Sequence, residues 1–302
     1  GLTVTEITVN MSAPAARLTG RGRNLPVRFI VAMLLLLPGA VAAGKRPARL
    51  RLSVTPSDAI ETRVREEIHK GETILDGLSP ENMLDSPYLV SAVYYHEGFL
   101  DDYPVDRADA NPSRRIIGRL SLALTPELKT RYIRLLREIH VFPAGAPQFV
   151  LPVPYNAARN RRRRRNHKYA IDLFAHEGTP VRSATRGVVA LAEGNWSRDD
   201  PFSTSSQEGG NTVIVFDPAT NRFYRYCHLG SVRVSAGEPV EAGQDIGAVG
   251  HSGANASQRG HGGHLHFEVN EYNGRVVRPF TYKQLSALIT SARRRTAHSR
   301  AP

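Results

Sequence analysis

The sequence predicts an α+β multidomain chain. A mostly helical amino-terminal segment is followed by a mainly antiparallel β domain, an open barrel or sandwich-like groove. Three observations carry this expectation. Between residues 44 and 145, apolar side chains recur at helical spacing. Between Tyr169 and Phe280, short apolar runs recur about every ten residues, each bounded by turn residues. Between the two regions the composition shifts abruptly to a run of arginines. A length of 302 residues gives room for two domains, or for one domain with appendages.

Composition narrows the class. Hydrophobic residues make up 41% of the chain and glycine occupies 25 positions, which is ordinary for a globular protein. Wholesale disorder, a collagen-like fibre and a many-span membrane protein are thereby disfavoured. The formal charge of +12 points to an anionic partner, either a nucleic acid or an anionic polymer or surface. The one cysteine, Cys227, excludes an intramolecular disulfide framework and a thiolate-cluster metal site. Any metal must therefore sit on histidines and carboxylates.

Residues 1–43 read as a leader. Arg17, Arg21, Arg23 and Arg28 precede an uncharged run from Phe29 to Leu37, then Pro38-Gly39 and the small residues Ala40 to Ala43. This is the order of a secretory signal peptide, with Met11 as the expected true start. The apolar core is short of the roughly 20 residues of a comfortable membrane span. The expectation is export to the periplasm or the medium, with an uncleaved inner-membrane anchor as the alternative. No lipobox cysteine follows.

Residues 44–145 form the helical region. Ser57 is the expected cap of a helix carrying Ile60, Val64 and Ile68 at spacing four. Thr125-Pro126-Glu127 opens another, with proline at the first helical position and an acid in the first turn. Leu128, Tyr132, Leu135, Leu136 and Ile139 line its apolar face, and the stretch Pro143 to Pro147 ends it. No residue set here implies chemistry, and His96-Glu97 reads as a surface or capping pair. The region is open to three roles: inhibitory, docking or scaffolding.

Residues 146–166 form a basic linker, with arginine at 159 and at 161 to 165. A solvated linker, an anion-binding patch and a processing site are the readings open to it. Without interleaved aromatics the nucleic-acid signal is weak.

The β region, 167–280, contains apolar runs at Val188 to Leu191, Thr212 to Phe216, Phe223 to Cys227, Asp245 to Val249 and Leu265 to Val269. Asp217 to Asn221 is a hairpin turn between two of them. The stretch from Glu193 to Gly209 is long for a hairpin connection. It reads as a disordered insertion or as a groove wall presenting Trp196. Residues 281–302 form a short helix and a basic tail, the latter expected to be disordered.

Three clusters carry chemistry: Asn166 to Asp172, Tyr226 to Leu229, and Gly263 to Glu268. In the third, His264 and His266 are two apart on a strand and point to one face. Catalytic zinc takes three protein ligands from His nitrogen and carboxylate oxygen. His167, Asp172 and one histidine of the pair complete that count. His251 and His298 read as isolated and His176 as exposed. Cys227 is expected on the strand face opposite the neighbouring His228, as buried packing.

His167 to Asp172, Tyr226-Cys227-His228-Leu229 and His264-Leu265-His266-Phe267-Glu268 resemble the three signatures of the lysostaphin-type (LytM-type) zinc metallopeptidases, of duplicated hybrid motif fold. Gly178 to Val181, Gly187 to Val189, Gly210-Asn211, Gly243-Gln244 and Gly250 to Gly253 fall in the same order, so the resemblance spans His167 to Pro279. It implies a β groove around one zinc ion, with His167, Asp172 and His266 as metal ligands and His228 and His264 as the catalytic histidines. It also implies an endopeptidase acting on peptide cross-links of bacterial peptidoglycan. One departure is the four residues between His167 and Asp172, where the family usually has three. A β-bulge, or a His167 carried on the loop before the strand, restores the geometry.

From these assignments, one of His228 and His264 takes the proton of the attacking water and the other donates to the developing oxyanion. No His-Glu-x-x-His motif supplies a glutamate base. Glu268 is either an orienter of the metal ligand or a surface strand residue. His261 and Trp196 are candidates for substrate contact. The partners implied are peptidoglycan stem peptides and anionic wall polymers, with no nucleic acid. The alternative reading is a catalytically silent cell-wall binder or amidase activator of the same fold.

Overall fold

The computed structural model describes residues 56–95, 111–143, 145, 149–154 and 167–298. The leader, His96-Glu97, the arginine run at 159 to 165 and Arg300 lie outside the described residues.

Among the described residues four helices precede the sheet, and each begins with proline at its first position: α1 Pro56–Asp76, α2 Pro87–Tyr94, α3 Pro112–Ala123 and α4 Pro126–Glu138. The missing N–H of proline is no loss there and its φ is already helical. Three of these starts are capped by side chains that accept a backbone N–H: Ser86 from Leu89, Asn111 from Arg114 and Thr125 from Leu128. The expected Thr125-Pro126-Glu127 start is thus present. The first helix begins at Pro56, so Ser57 lies inside it. In α4, Tyr132, Leu135 and Leu136 are buried and Leu128 and Ile139 partly so. Gly71 of α1 lets α3 approach closely, since a Cβ there would meet the Leu120 side chain at 2.6 Å.

Ten strands follow: β1 Ile171–Phe174, β2 Pro180–Arg182, β3 Gly187–Glu193, β4 Thr212–Asp217, β5 Arg222–Cys227, β6 Leu229–Val232, β7 Pro239–Val240, β8 Asp245–Val249, β9 His264–Tyr272 and β10 Val277–Pro279. All five expected runs are strands. The main sheet has the order β1-β9-β5-β4-β3-β7, with β10 also on β9, and a smaller sheet has the order β2-β8-β6. Every pairing is antiparallel. The β4–β5 hairpin turns where expected. Asp217 accepts the amides of Ala219 and Thr220, and Asn221 takes a left-handed φ of 56°.

Strand alternation gives the main sheet two covered faces. Val213, Val215, Tyr224, Tyr226, Leu265, Phe267 and Val269 pack with Ile246 and Val249 of the small sheet. Ile214, Phe216, Phe223 and Tyr272 on the opposite face share a core with the four helices. Helical segment and β region form one compact unit from Ser57 onward.

The carboxyl-terminal end differs from expectation. Instead of a short helix and a disordered tail, α5 runs Tyr282–His298 and contains Arg293 to Arg295. Leu285, Ile289 and Ala292 recur at helical spacing and are buried, which anchors the helix despite its charge. Among the described residues no helix is long and apolar enough to cross a membrane.

Candidate active site

The site lies on the face of β5 and β9 that the helices cover further along. On β9, His264, His266 and Glu268 share this face with Asn270 and Tyr272, while Leu265, Phe267 and Val269 face the other core. In register, Asp172 of β1 is opposite His266, and so is Cys227 of β5. His167 stands on the loop before β1. The extra residue between His167 and Asp172 is therefore absorbed ahead of the strand, where alternation does not apply.

His167, Asp172 and His266 offer ligating atoms within 4.8 Å of one another, the one such set among the described residues. His167 Nε2 is 3.2 Å from Asp172 Oδ2 and His266 Nδ1 is 2.9 Å from Asp172 Oδ1. Burial alone would raise the Asp172 carboxyl. Hydrogen bonds from both imidazoles outweigh it and hold the group far below the usual carboxylate range.

The second nitrogen of His266, Nε2, donates to Glu268 Oε1 at 3.0 Å. Burial would lower the imidazole pKa, but the bonds to Asp172 and Glu268 prevail and push it up to about 9. Glu268 is not a surface residue. Burial would raise its carboxyl, yet the Arg225 guanidinium, at 2.9 Å, and the bonds from His266 and Tyr94 keep it ionised. Its two oxygens are bonded to His266, Arg225 and Tyr94.

His228 and His264 face each other across the pocket, ring centroids 4.9 Å apart. His228 Nδ1 is 2.8 Å from the Ser252 carbonyl and His264 Nδ1 is 2.9 Å from that of Gly262. A carbonyl only accepts, so in both rings Nδ1 carries the proton and Nε2 is the basic nitrogen. Burial lowers the pKa of each. His228, also repelled by His266 and His264, falls to about 3. Both are neutral imidazoles at neutral pH.

His228 has φ +62°, a left-handed conformation uncommon outside glycine. The strand ends at Cys227, so the reversal of faces expected between Cys227 and His228 does not occur. Cys227 is buried as expected, but it lies on the cavity side with His228, not on the opposite face. Burial pushes its thiol up to about 11, which leaves it unreactive.

The cavity has a volume of about 1070 Å³. Its floor is the histidine and carboxylate set just described. His261, exposed, lines one rim. The connection after β3 contributes Ser205, Ser206, Glu208 and Gly209, so this stretch is a wall and not a disordered insertion. Trp196 is not part of that wall. Its indole N–H donates to Gln207 and its ring lines a separate shallow pocket with Leu229 and Ser252. His176 and His251 are exposed, and His251 pairs with Glu177 at 2.9 Å. The side chain of His298 lies outside the described residues.

Two helices supply the opposite wall. Tyr95, at the end of α2, and Ser113, Arg114 and Ile117 of α3 line the same cavity. Arg114 pairs with Glu208 at 2.9 Å, which ties the two walls together. The Ser86-Pro87 and Asn111-Pro112 steps signal these helix starts, but nothing in their spacing says which face of a distant sheet they cover.

Residues 166–279 match the model of Peptidase family M23. An L-Ala--D-Glu endopeptidase of Bacillus subtilis is 30% identical over 161 residues, covering 49% of this chain and 45% of the relative. The glycyl-glycine endopeptidase ALE-1 of Staphylococcus capitis is 34% identical over 104 residues, 34% of this chain and 24% of the relative. Lysostaphin of Staphylococcus staphylolyticus is 32% identical over 108 residues, 35% of this chain and 19% of the relative. The chain thus spans less than half the length of these relatives, and each similarity includes only part of it. Within that part the residues matched by the Peptidase family M23 model, 166–279, include His167, Asp172, His228, His264, His266 and Glu268, the side chains that meet in the cavity.

Proposed function

We propose that the chain is a zinc-dependent endopeptidase that hydrolyses peptide cross-links of bacterial peptidoglycan, exported by its leader. The observation that supports this most is the convergence in one cavity of His167, Asp172 and His266 with the neutral imidazoles of His228 and His264. Two of the relatives named above are endopeptidases by their own descriptions.

The donor set suits zinc: two imidazole nitrogens and one carboxylate oxygen. The ligand His266 gives its outer N–H to a buried carboxylate, the arrangement that sets tautomer and ring orientation at metal sites. Zinc, when bound, polarises the scissile carbonyl and acidifies the attacking water. The remaining work falls to the chain. His228 and His264 each present a bare Nε2, so either accepts the water proton. As neutral rings neither can donate from that atom. The imidazolium formed by this first transfer then supplies the N–H for the developing oxyanion or the leaving amine. The fixed carbonyl partners of Nδ1 keep both rings aimed throughout.

The charge of +12 favours a wall polymer bearing carboxylates, and the rate is expected to fall as ionic strength rises. The direct test is digestion of purified peptidoglycan with and without a zinc chelator, with products identified by mass spectrometry. Chelator-sensitive loss of cross-linked dimers is expected, and the products name the bond. Zinc-loaded chain that binds the wall but releases nothing would instead support the silent binder or amidase activator.

A further inference from the structure

We propose that the helical segment is a working part of the metal centre. Tyr94, the last residue of α2, is a positioning residue that orients the ligand His266 through Glu268. This rests on the zinc site proposed above and extends it beyond the family domain, to residue 94.

The connection is direct. The Tyr94 hydroxyl donates to Glu268 Oε2 at 2.5 Å. Glu268 Oε1 accepts from His266 Nε2 at 3.0 Å and from Arg225 Nη1 at 2.9 Å. The last torsion of a glutamate is broad, so bonds on one oxygen alone hold the carboxylate plane loosely. A bond on the other oxygen fixes its plane, and with it the direction in which Oε1 meets the imidazole. The ring of His266 has little other guidance at Nε2.

Tyr94 is itself held at several points. It is 1% exposed. Its ring packs edge-on against Phe223, at 6.1 Å, and Tyr95, at 5.4 Å. Its carbonyl accepts from Asn270 Nδ2 at 2.9 Å. The guanidinium of Arg225 lies 5.7 Å from both tyrosine rings. Glu268 and Asn270 are successive residues on one face of β9, so α2 grips the strand two and four residues beyond the ligand. A phenylalanine would fill the same apolar space. The hydroxyl is spent on a carboxylate that already serves the ligand, and this marks positioning apart from packing.

The test compares Tyr94→Phe with Thr130→Val in the full chain. Thr130 hydrogen-bonds Tyr272, another helix-to-sheet contact that does not touch Glu268. Zinc affinity is measured by chelator competition, and the cobalt(II)-substituted protein gives the visible spectrum of the site. Tyr94→Phe is expected to weaken zinc binding by about 10- to 100-fold and to shift the cobalt bands. Thr130→Val leaves both as in the parent. A folded Tyr94→Phe with parent affinity and spectrum overturns the proposal. If that variant does not fold, Glu268→Gln reads the next link, and parent affinity there overturns it equally. A parent chain that binds no zinc removes the metal centre itself, so the two failures are told apart by the parent alone.

Discussion

Strands β5 and β9 present two unlike faces, and the difference separates stability from chemistry. On one side Tyr224, Tyr226, Leu265, Phe267 and Val269 are buried in an apolar core. On the other, Arg225, Cys227, His264, His266 and Glu268 are lodged around a cavity, and the same face passes under the helices at Phe223, Asn270 and Tyr272. One face is satisfied by dispersion and water exclusion. The other is a polar network in which every buried charge has a partner, and a network of that kind is costly to break at any single member. Neighbouring residues on one strand should therefore fail in different ways.

The largest expected effects are on the polar face. His266→Ala is expected to lose zinc and activity together, in a chain that still folds. His228→Ala and His264→Ala should keep zinc while kcat falls about 10²- to 10⁴-fold. Tight zinc binding by His266→Ala would take that residue out of the metal site.

One position further on, Phe267→Ala should behave oppositely. The side chain is fully buried between Tyr224, Tyr226 and Phe149. Its truncation is expected to cost about 3–5 kcal/mol. Denaturant unfolding measures this, and zinc content of the remaining folded protein should stay near one. A variant destabilised by less than about 1 kcal/mol would show that the two faces are not specialised.

Gly253 links the faces less directly. Its φ is +101°, and a Cβ there would meet the Glu208 carbonyl oxygen at 2.3 Å. Gly253→Ala is expected to cost roughly 1–3 kcal/mol in stability. It also follows Ser252, whose carbonyl holds His228, so kcat should drop with stability. Unchanged kcat in the folded variant would mean that His228 does not depend on that loop.

The smallest expected effect is a pH dependence beneath the helices. Glu193 ends β3, and its carboxylate accepts from the Ser205 amide and hydroxyl. Burial raises its pKa from 4.5 to about 7 against those hydrogen bonds. Between these values the folded chain holds a proton that the unfolded chain has lost, so this group makes stability fall as pH rises from about 4.5 to 7. Glu193→Gln should flatten that part of a stability profile. An identical slope in the variant would assign it to other groups.

Much of the site was legible because its signals are local. His264 and His266 share a strand face by the period of two, and the turn at Asp217 to Asn221 is written in its residue types. Where local rules were extended past their range they failed. The alternation invoked for Cys227 and His228 stops at the strand's end, where a left-handed residue turns both toward the cavity. Trp196, a candidate for substrate contact from its place in the long connection, has its indole N–H committed to Gln207 and lines a different pocket. The basic tail concealed Leu285, Ile289 and Ala292, whose spacing is that of a buried helix stripe.

The sequence by itself determined five of the strands, the start of α4, and the histidines and aspartate that meet at the cavity floor. It did so because strand period, capping and turn chemistry act over a few residues. Only the tertiary structure decided what covers the cavity-lining face. Tyr94 meets Glu268 across 174 positions of chain, and Arg114 meets Glu208 from another helix. Contacts of that separation leave no period in either segment. They exist because an apolar helical cluster and a half-covered sheet face bury each other, and that burial carries the tyrosine hydroxyl to the carboxylate.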